Sequence, residues 1–266
     1  MQDKADGPTK YIIRMTSNHT SADFLFVPLR QKRNRMHRTF KTSVRLFLGV
    51  PVTSATCHIG KCKGKAICTN GDHAFHATAR VTTRHHAVKN AIGHVLQRLH
   101  FIGQCDYSCH FETKMSTLNI PKRVDAKDRK TDAQVDFYLS NPATNHMFFT
   151  DVMVTHPSQR DEENQDDSKA AVNKGVVTKY SKYLDNYVIS KDDVIPLIFD
   201  TYGGYADVTY RFLQRMADTI GGSEPKLRAK VLRTFRDRIA VALHTSHAEV
   251  INWINGRNIR MISNRR

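Results

Sequence analysis

One acidic residue constrains this chain more than any other. Asp151 stands inside the run Met147–Val154, among Phe148, Phe149, Val152 and Val154. The run has the length and the apolar, β-branched character of a buried strand. A carboxylate there is costly unless it is paired or holds a cation. Whatever the chain folds into must therefore bring a partner to the middle of a sheet. Just upstream, Asp132 and Asp136 bracket a second strand candidate, Ala133–Leu139. Being four apart, they share a face if the backbone is extended. Two carboxylates on adjacent strands suit a hard divalent ion such as Mg²⁺ (or Mn²⁺), with water and phosphate oxygens completing its shell.

The elements around these strands predict a mixed α/β fold. Phe40, Val44 and Phe47 sit at helical spacing in a helix near 38–48, which Gly49 and Pro51 end. Val88, Ala91, Ile92, Val95, Leu96 and Leu99 mark an amphipathic helix over about 85–100. A weak strand is expected near 109–115 and a strong one at Val194–Phe199. Between Met147–Val154 and that strand, Val172, Val176, Tyr180, Tyr183 and Tyr187 describe a crossover helix over about 168–188. On it Lys179 lies at the edge of the apolar face and Lys182 further toward solvent. A lysine so placed can bury its stem and deliver an ammonium beside Asp151. Two more helices are expected, about 205–220 and 226–244. Asp161, Glu162, Glu163, Asp166 and Asp167 read as a solvated acidic loop.

Charge narrows the function. The chain has 266 residues with 41 Lys plus Arg against 25 Asp plus Glu, a formal net charge of +16 that points to a polyanion partner. Hydrophobic content of 40% argues against wholesale disorder. No apolar run approaches the roughly 18 to 20 residues of a membrane helix, and MQDKADGPTK has no apolar core of a signal peptide, so an intracellular, non-membrane protein is expected. Residues 203–266 carry twelve Lys/Arg against five acids, and Arg228, Lys230, Arg233, Arg236 and Arg238 crowd one helix there. These are the candidate nucleic-acid contacts, with Lys32, Arg33, Arg35 and Arg38 as the alternative surface.

Five cysteines in such a chain favour thiols or metal ligands over disulfides. Cys57 and Cys62 precede Cys68, His73 and His76 within twenty residues, a donor set suited to Zn²⁺. Cys105, Cys109 and His110 form a looser group, read as core or turn thiols.

At this point the residues carry a resemblance. The chain resembles the C-terminal region of retroelement reverse-transcriptase polyproteins that holds a restriction-like endonuclease of the PD-(D/E)XK superfamily. The landmarks run through about residues 21–258. They are Ala22-Asp23-Phe24-Leu25, Arg45-Leu46-Phe47-Leu48-Gly49-Val50-Pro51, the Cys/His knot, Gly71-Asp72-His73-Ala74 and Arg84-His85. Lys130-Thr131-Asp132, Asp151-Val152-Met153-Val154-Thr155-His156-Pro157, Lys179-Tyr180-Ser181-Lys182-Tyr183, and Ile195-Pro196-Leu197 through Tyr202-Gly203-Gly204 complete the series.

The resemblance implies an αβββαβ nuclease core preceded by a zinc module and followed by basic helices. The expected segments are 1–80 (helical segment and zinc knot), 81–205 (nuclease-like core) and 206–266 (C-terminal helices). It implies Asp132 and Asp151 as the metal-holding carboxylates and a catalytic lysine from the helix, Lys179 or Lys182, because Met153 occupies the usual third-motif position. Thr131 stands where Pro is usual, which keeps Asp136 as an alternative, with fourteen residues between it and Asp151. The zinc set would be Cys57, Cys62 and His73. The family's final Cys falls at Ala77, so His76 or Cys68 must complete the site. Function is expected to be Mg²⁺-dependent nicking or cleavage of DNA, with RNA as the other substrate. The resemblance implies a reverse transcriptase of the same element as companion and the nucleus as compartment. A catalytically inactive nucleic-acid-binding module of the same fold is the second reading, and an assembly protein the third.

Overall fold

The computed structural model describes residues 39–48, 52, 56–57, 65–66, 81–101, 106–128, 130–156 and 169–263. Helix α1 spans Phe40–Phe47, and the two-residue strands β1 (Thr56–Cys57) and β2 (Lys65–Ala66) pair antiparallel. Helix α2 (Val81–Phe101) leads into β3 (Ser108–Lys114), β4 (Gln134–Asn141) and β5 (His146–Thr155). Helix α3 (Ala170–Leu184) crosses to β6 (Val194–Asp200) after a short 3₁₀ turn at Lys191–Asp193. Helices α4 (Asp207–Gly221) and α5 (Pro225–Ser263) close the chain.

Strands β3 to β6 form one mixed sheet in sequence order. The β3–β4 and β4–β5 pairs are antiparallel, while β5 and β6 run parallel, as a helical crossover requires. Pro196 is tolerated in β6 because that strand has a ladder partner on one side only. From α2 to β6 the order is α, β, β, β, α, β.

Side-chain alternation in β5 splits the packing into two layers. Phe148 and Val152 point toward α2, α4 and α5, joining Val88, Ile92, Leu96, Phe212, Met216, Phe235 and Leu243 in the larger cluster. Phe149 and Met153 point the other way, toward α3: Phe149 meets Tyr183 and Tyr187, and Met153 lies with Val172 and Ile198. The C-terminal helices thus share a core with the sheet. Helix α1 leans on α5, where Phe40, Val44 and Phe47 surround Ala240.

Helix α3 lies unusually close to β6. A methyl group on Gly175 would meet Ile198 Cγ2 at 2.7 Å, so a glycine is needed at that crossing.

Two boundaries differ from the sequence expectation. The crossover helix stops at Leu184 rather than near 188, and Tyr187 sits in the following turn, where it bridges to Lys122. Conversely, α5 runs on past 244 to Ser263. Its polar-looking stretch His244, Ser246 and His247 is buried, so tertiary packing carries the helix through residues of modest propensity. The acidic run 161–167 lies outside the described residues, as do Cys62, Cys68, His73, His76 and Cys105. Cys57 is described by its backbone in β1 alone, and Cys109 is half-buried in β3 and forms no disulfide.

Candidate active site

The two central strands part company at one end. Paired residues in β4 and β5 run from Asn141–His146 to Phe137–Thr150 and stop there. In β4 the alternation also slips: Val135 packs on the α3 side, yet the next apolar residue on the α2 side is Phe137. Asp136, between them, faces α2. Opposite it, Glu112 of β3 has a left-handed backbone (φ 51°), which marks the same disturbance in the neighbouring strand.

Asp151 sits beside this opening on the α3 side. Its Oδ1 accepts from Lys179 Nζ at 2.6 Å, and its Oδ2 accepts from Lys182 Nζ at 2.7 Å and the Tyr183 hydroxyl at 2.6 Å. The carboxylate is 5% exposed. Burial pushes its pKa up, but the two ammonium groups outweigh burial and hold it down to about 2. Lys179 and Lys182 are three apart, so they reach from adjacent turns of α3, and the close crossing at Gly175 brings those turns onto the sheet. The Lys179 side chain is 15% exposed and that of Lys182 is 40%, which makes Lys182 the more accessible of the pair.

Tyr183 ties the cluster to β4. Its hydroxyl also lies 3.0 Å from the Gln134 carbonyl and accepts from Lys182 at 3.0 Å. Burial first, then the charges of Asp151 and Asp136, push the phenol pKa well up, so it stays a neutral donor. The Tyr183 hydroxyl thus links Asp151 to the first residue of β4.

Asp136 is held separately. Its Oδ2 accepts from the Val152 backbone N–H at 2.7 Å, and Oδ1 lies 3.1 Å from His85 Nε2 and 4.0 Å from Lys89 Nζ. Lys89 is buried and is itself bonded to Glu112.

Asp132 occupies a different place. It precedes β4, in the loop, where it accepts from the Ser116 hydroxyl at 2.6 Å and the Tyr187 hydroxyl at 3.3 Å. The Ser116 bond leads in lowering its pKa. Tyr187 also receives the Ala133 N–H at 2.5 Å, so Asp132 and Tyr187 together pin the loop to the end of α3. Asp132 and Asp136 do not share a strand face, because β4 begins only at Gln134.

The basic residues of α5 lie on the α2 side of the sheet, away from Asp151. Lys230, Arg233 and Arg238 are exposed. Arg228 pairs with Asp218 at 3.5 Å, and Arg236 is half-buried beside a small cavity lined by Phe199 and Tyr205.

Sequence reading did not single out Lys89 or a role for His85. A signal was present. Positions 85, 89, 92 and 96 form one helical stripe, apolar at Ile92 and Leu96 and polar at His85 and Lys89. The stripe turns polar where it reaches the strand that carries Asp136.

The oxygens of Asp136 and Asp151 and the Gln134 carbonyl are hard donors of the type a divalent cation such as Mg²⁺ takes, and each already accepts a hydrogen bond within the chain. Mg²⁺ commonly takes only one or two carboxylates and completes its shell with water and phosphate. Among the described residues, no group of three or more His, Cys, Asp or Glu side chains is placed to hold a metal ion. Among them also, no helix is long and apolar enough to cross a membrane. In comparisons with known proteins, no family model matches the chain and no curated sequence matches it significantly.

Proposed function

We propose that this chain is a divalent-metal-dependent endonuclease of the restriction-like, retroelement type, hydrolysing phosphodiester bonds in DNA. The observation that carries this reading is the buried Asp151 bound by Lys179 and Lys182, with Asp136 across the strand opening. The order α, β, β, β, α, β and the net charge of +16 agree with it. The αβββαβ run is then the nuclease core. Asp151 and Asp136 are the carboxylates that would hold Mg²⁺ or Mn²⁺. Asp132, the first choice from sequence, serves instead to fix the loop on Tyr187.

When bound, the ion supplies an acidified water and counter-charge for phosphate oxygens. The chain's own groups do the rest. Lys179, the more buried lysine, holds Asp151 Oδ1 in place. Lys182, on a partly exposed stem, can turn from Asp151 toward the charge that develops on the phosphorus-bound oxygens. Tyr183 keeps its proton and orients Oδ2. Removal of metal would return Lys182 to the carboxylate, which keeps the buried charge compensated.

The same reading makes Cys57, Cys62 and His73, with His76 or Cys68, a structural zinc site. Elemental analysis should then give about one zinc per chain, and chelation should unfold that segment. A reverse transcriptase of the same element and the nucleus are the partner and place it implies.

One observation favours the inactive binding module: both Asp151 oxygens are already satisfied by ammonium groups. The deciding experiment is nicking of supercoiled plasmid with Mg²⁺ or Mn²⁺, wild type against Asp151→Ala. Cleavage lost in the variant, with DNA binding retained, is the expected result. A wild type that binds DNA and never cleaves establishes the binding module.

A further inference from the structure

His85 reaches the site from the face of the sheet opposite the lysines. Strand pairing between β4 and β5 ends at Phe137 and Thr150, so the Asp136 side chain receives no orientation from a ladder neighbour on β5. Three groups orient it instead. The Val152 N–H fixes Oδ2 at 2.7 Å, His85 Nε2 meets Oδ1 at 3.1 Å, and the Lys89 ammonium stands 4.0 Å from the same oxygen.

The surrounding groups lock this arrangement. The His86 ring lies edge-on to His85, with centroids 5.2 Å apart. Lys89 is turned toward Glu112, whose left-handed backbone places its side chain against α2. A non-glycine residue in that conformation is strained, so surrounding contacts must hold it there. His85 is 28% exposed in its side chain, so the network opens to solvent at the imidazole.

We propose that His85 is a positioning residue: its Nε2–H donates to Asp136 Oδ1 and sets the direction in which Oδ2 and the remaining lone pairs face the metal. The inference rests on the endonuclease reading only in taking Asp136 as a metal-holding carboxylate. Groups that orient a ligating carboxylate act on both affinity and turnover, and their loss typically costs roughly 10–100-fold.

The test is Mn²⁺ titration by calorimetry on the full chain, with plasmid-nicking kinetics alongside, for wild type, His85→Ala, His85→Gln and Asp151→Asn. Gln carries an amide N–H donor at a reach like that of Nε2. His85→Ala should bind Mn²⁺ roughly 10–100-fold more weakly and lose a similar factor in kcat, with KM for DNA unchanged. His85→Gln should recover most of both. Unchanged Mn²⁺ affinity in His85→Ala overturns the inference and leaves the endonuclease reading standing. A loss that Gln fails to restore also overturns it, since His85 would then serve only packing. Wild type that binds Mn²⁺ without cleaving overturns the endonuclease reading, and the affinity series still decides on His85. Wild type that binds no Mn²⁺, like Asp151→Asn, overturns both.

Discussion

The Asp136 carboxylate accepts the Val152 backbone N–H at 2.7 Å, immediately beyond the last residue pair joining β4 to β5. A side chain thus takes over from the backbone ladder where the strands separate. The N–H is satisfied, as a buried donor must be, although the strands have parted.

The two lysines should differ in kind. On the endonuclease reading, Lys182→Ala should lower nicking by about 10²-fold or more with little change in stability, since its head is partly exposed and its loss would remove charge stabilisation from a bound phosphate. Lys179→Ala should cost about 1–3 kcal/mol of stability, because it withdraws one partner from a buried carboxylate. Denaturant unfolding and nicking rates on both variants check this.

Two buried carboxyls pull stability in opposite directions with pH. Asp151 has its folded pKa held at about 2, below the ordinary value of 3.8. Its stabilisation is present above about pH 4 and is lost as pH falls toward 2. Asp200 is the reverse. Burial, partly offset by N–H bonds from Gly204, Tyr202 and Gly203, raises it to about 6. Its cost is present above pH 6 and disappears as pH falls from about 6 to 4.

Asp200→Asn keeps the Oδ1 acceptor that Tyr202 and Gly204 use. It should stabilise the protein by about 1–3 kcal/mol at pH 7.5 and flatten the pH 4–6 region of the stability profile. Urea midpoints across pH would show it.

Gly175→Ala should separate the lysines from their carboxylate. The added methyl collides with Ile198 Cγ2 at 2.7 Å, so α3 must lift from β6 at a cost of about 1–3 kcal/mol. Lys179 and Lys182 lift with it. Nicking should therefore fall further than the stability loss alone explains, in assays run well below the melting temperature.

Removing Lys230, Arg233 and Arg238 together should weaken binding to all DNA sequences alike. It should also reduce the slope of log affinity against log salt by up to about 3, since each phosphate contact contributes about 0.9. A filter-binding series over salt concentration measures this. An unchanged slope would move the contact surface to Lys32, Arg33, Arg35 and Arg38.

Part of the geometry around Asp151 was legible in the sequence, for physical reasons that also mark the limit. Asp151 announces itself because a charge in an apolar strand demands a partner, and helical periodicity placed Lys179 within reach of it. The first carboxylate was harder. Spacing alone puts Asp132 and Asp136 on one face, but that rule holds only along continuous strand, and β4 starts after Asp132 and slips between Val135 and Phe137. No single-sequence pattern encodes a slip of that kind, nor the left-handed Glu112. The long extension of α5 was hidden because His244, Ser246 and His247 are buried by neighbours remote in sequence. Those contacts outweigh local propensity.

The two carboxylates belong to different hydrophobic layers: Asp136 is braced by α2 and Asp151 by α3. Their separation is therefore a property of the whole sandwich, set by how each helix beds down on its own side. Substitutions around Ile92 would shift one carboxylate and substitutions around Ile198 the other, with neither touching an acid or a lysine. Drift in either layer could therefore change the spacing of the two carboxylates while every one of those residues stayed in place. A roll of intact residues would then say nothing about that spacing.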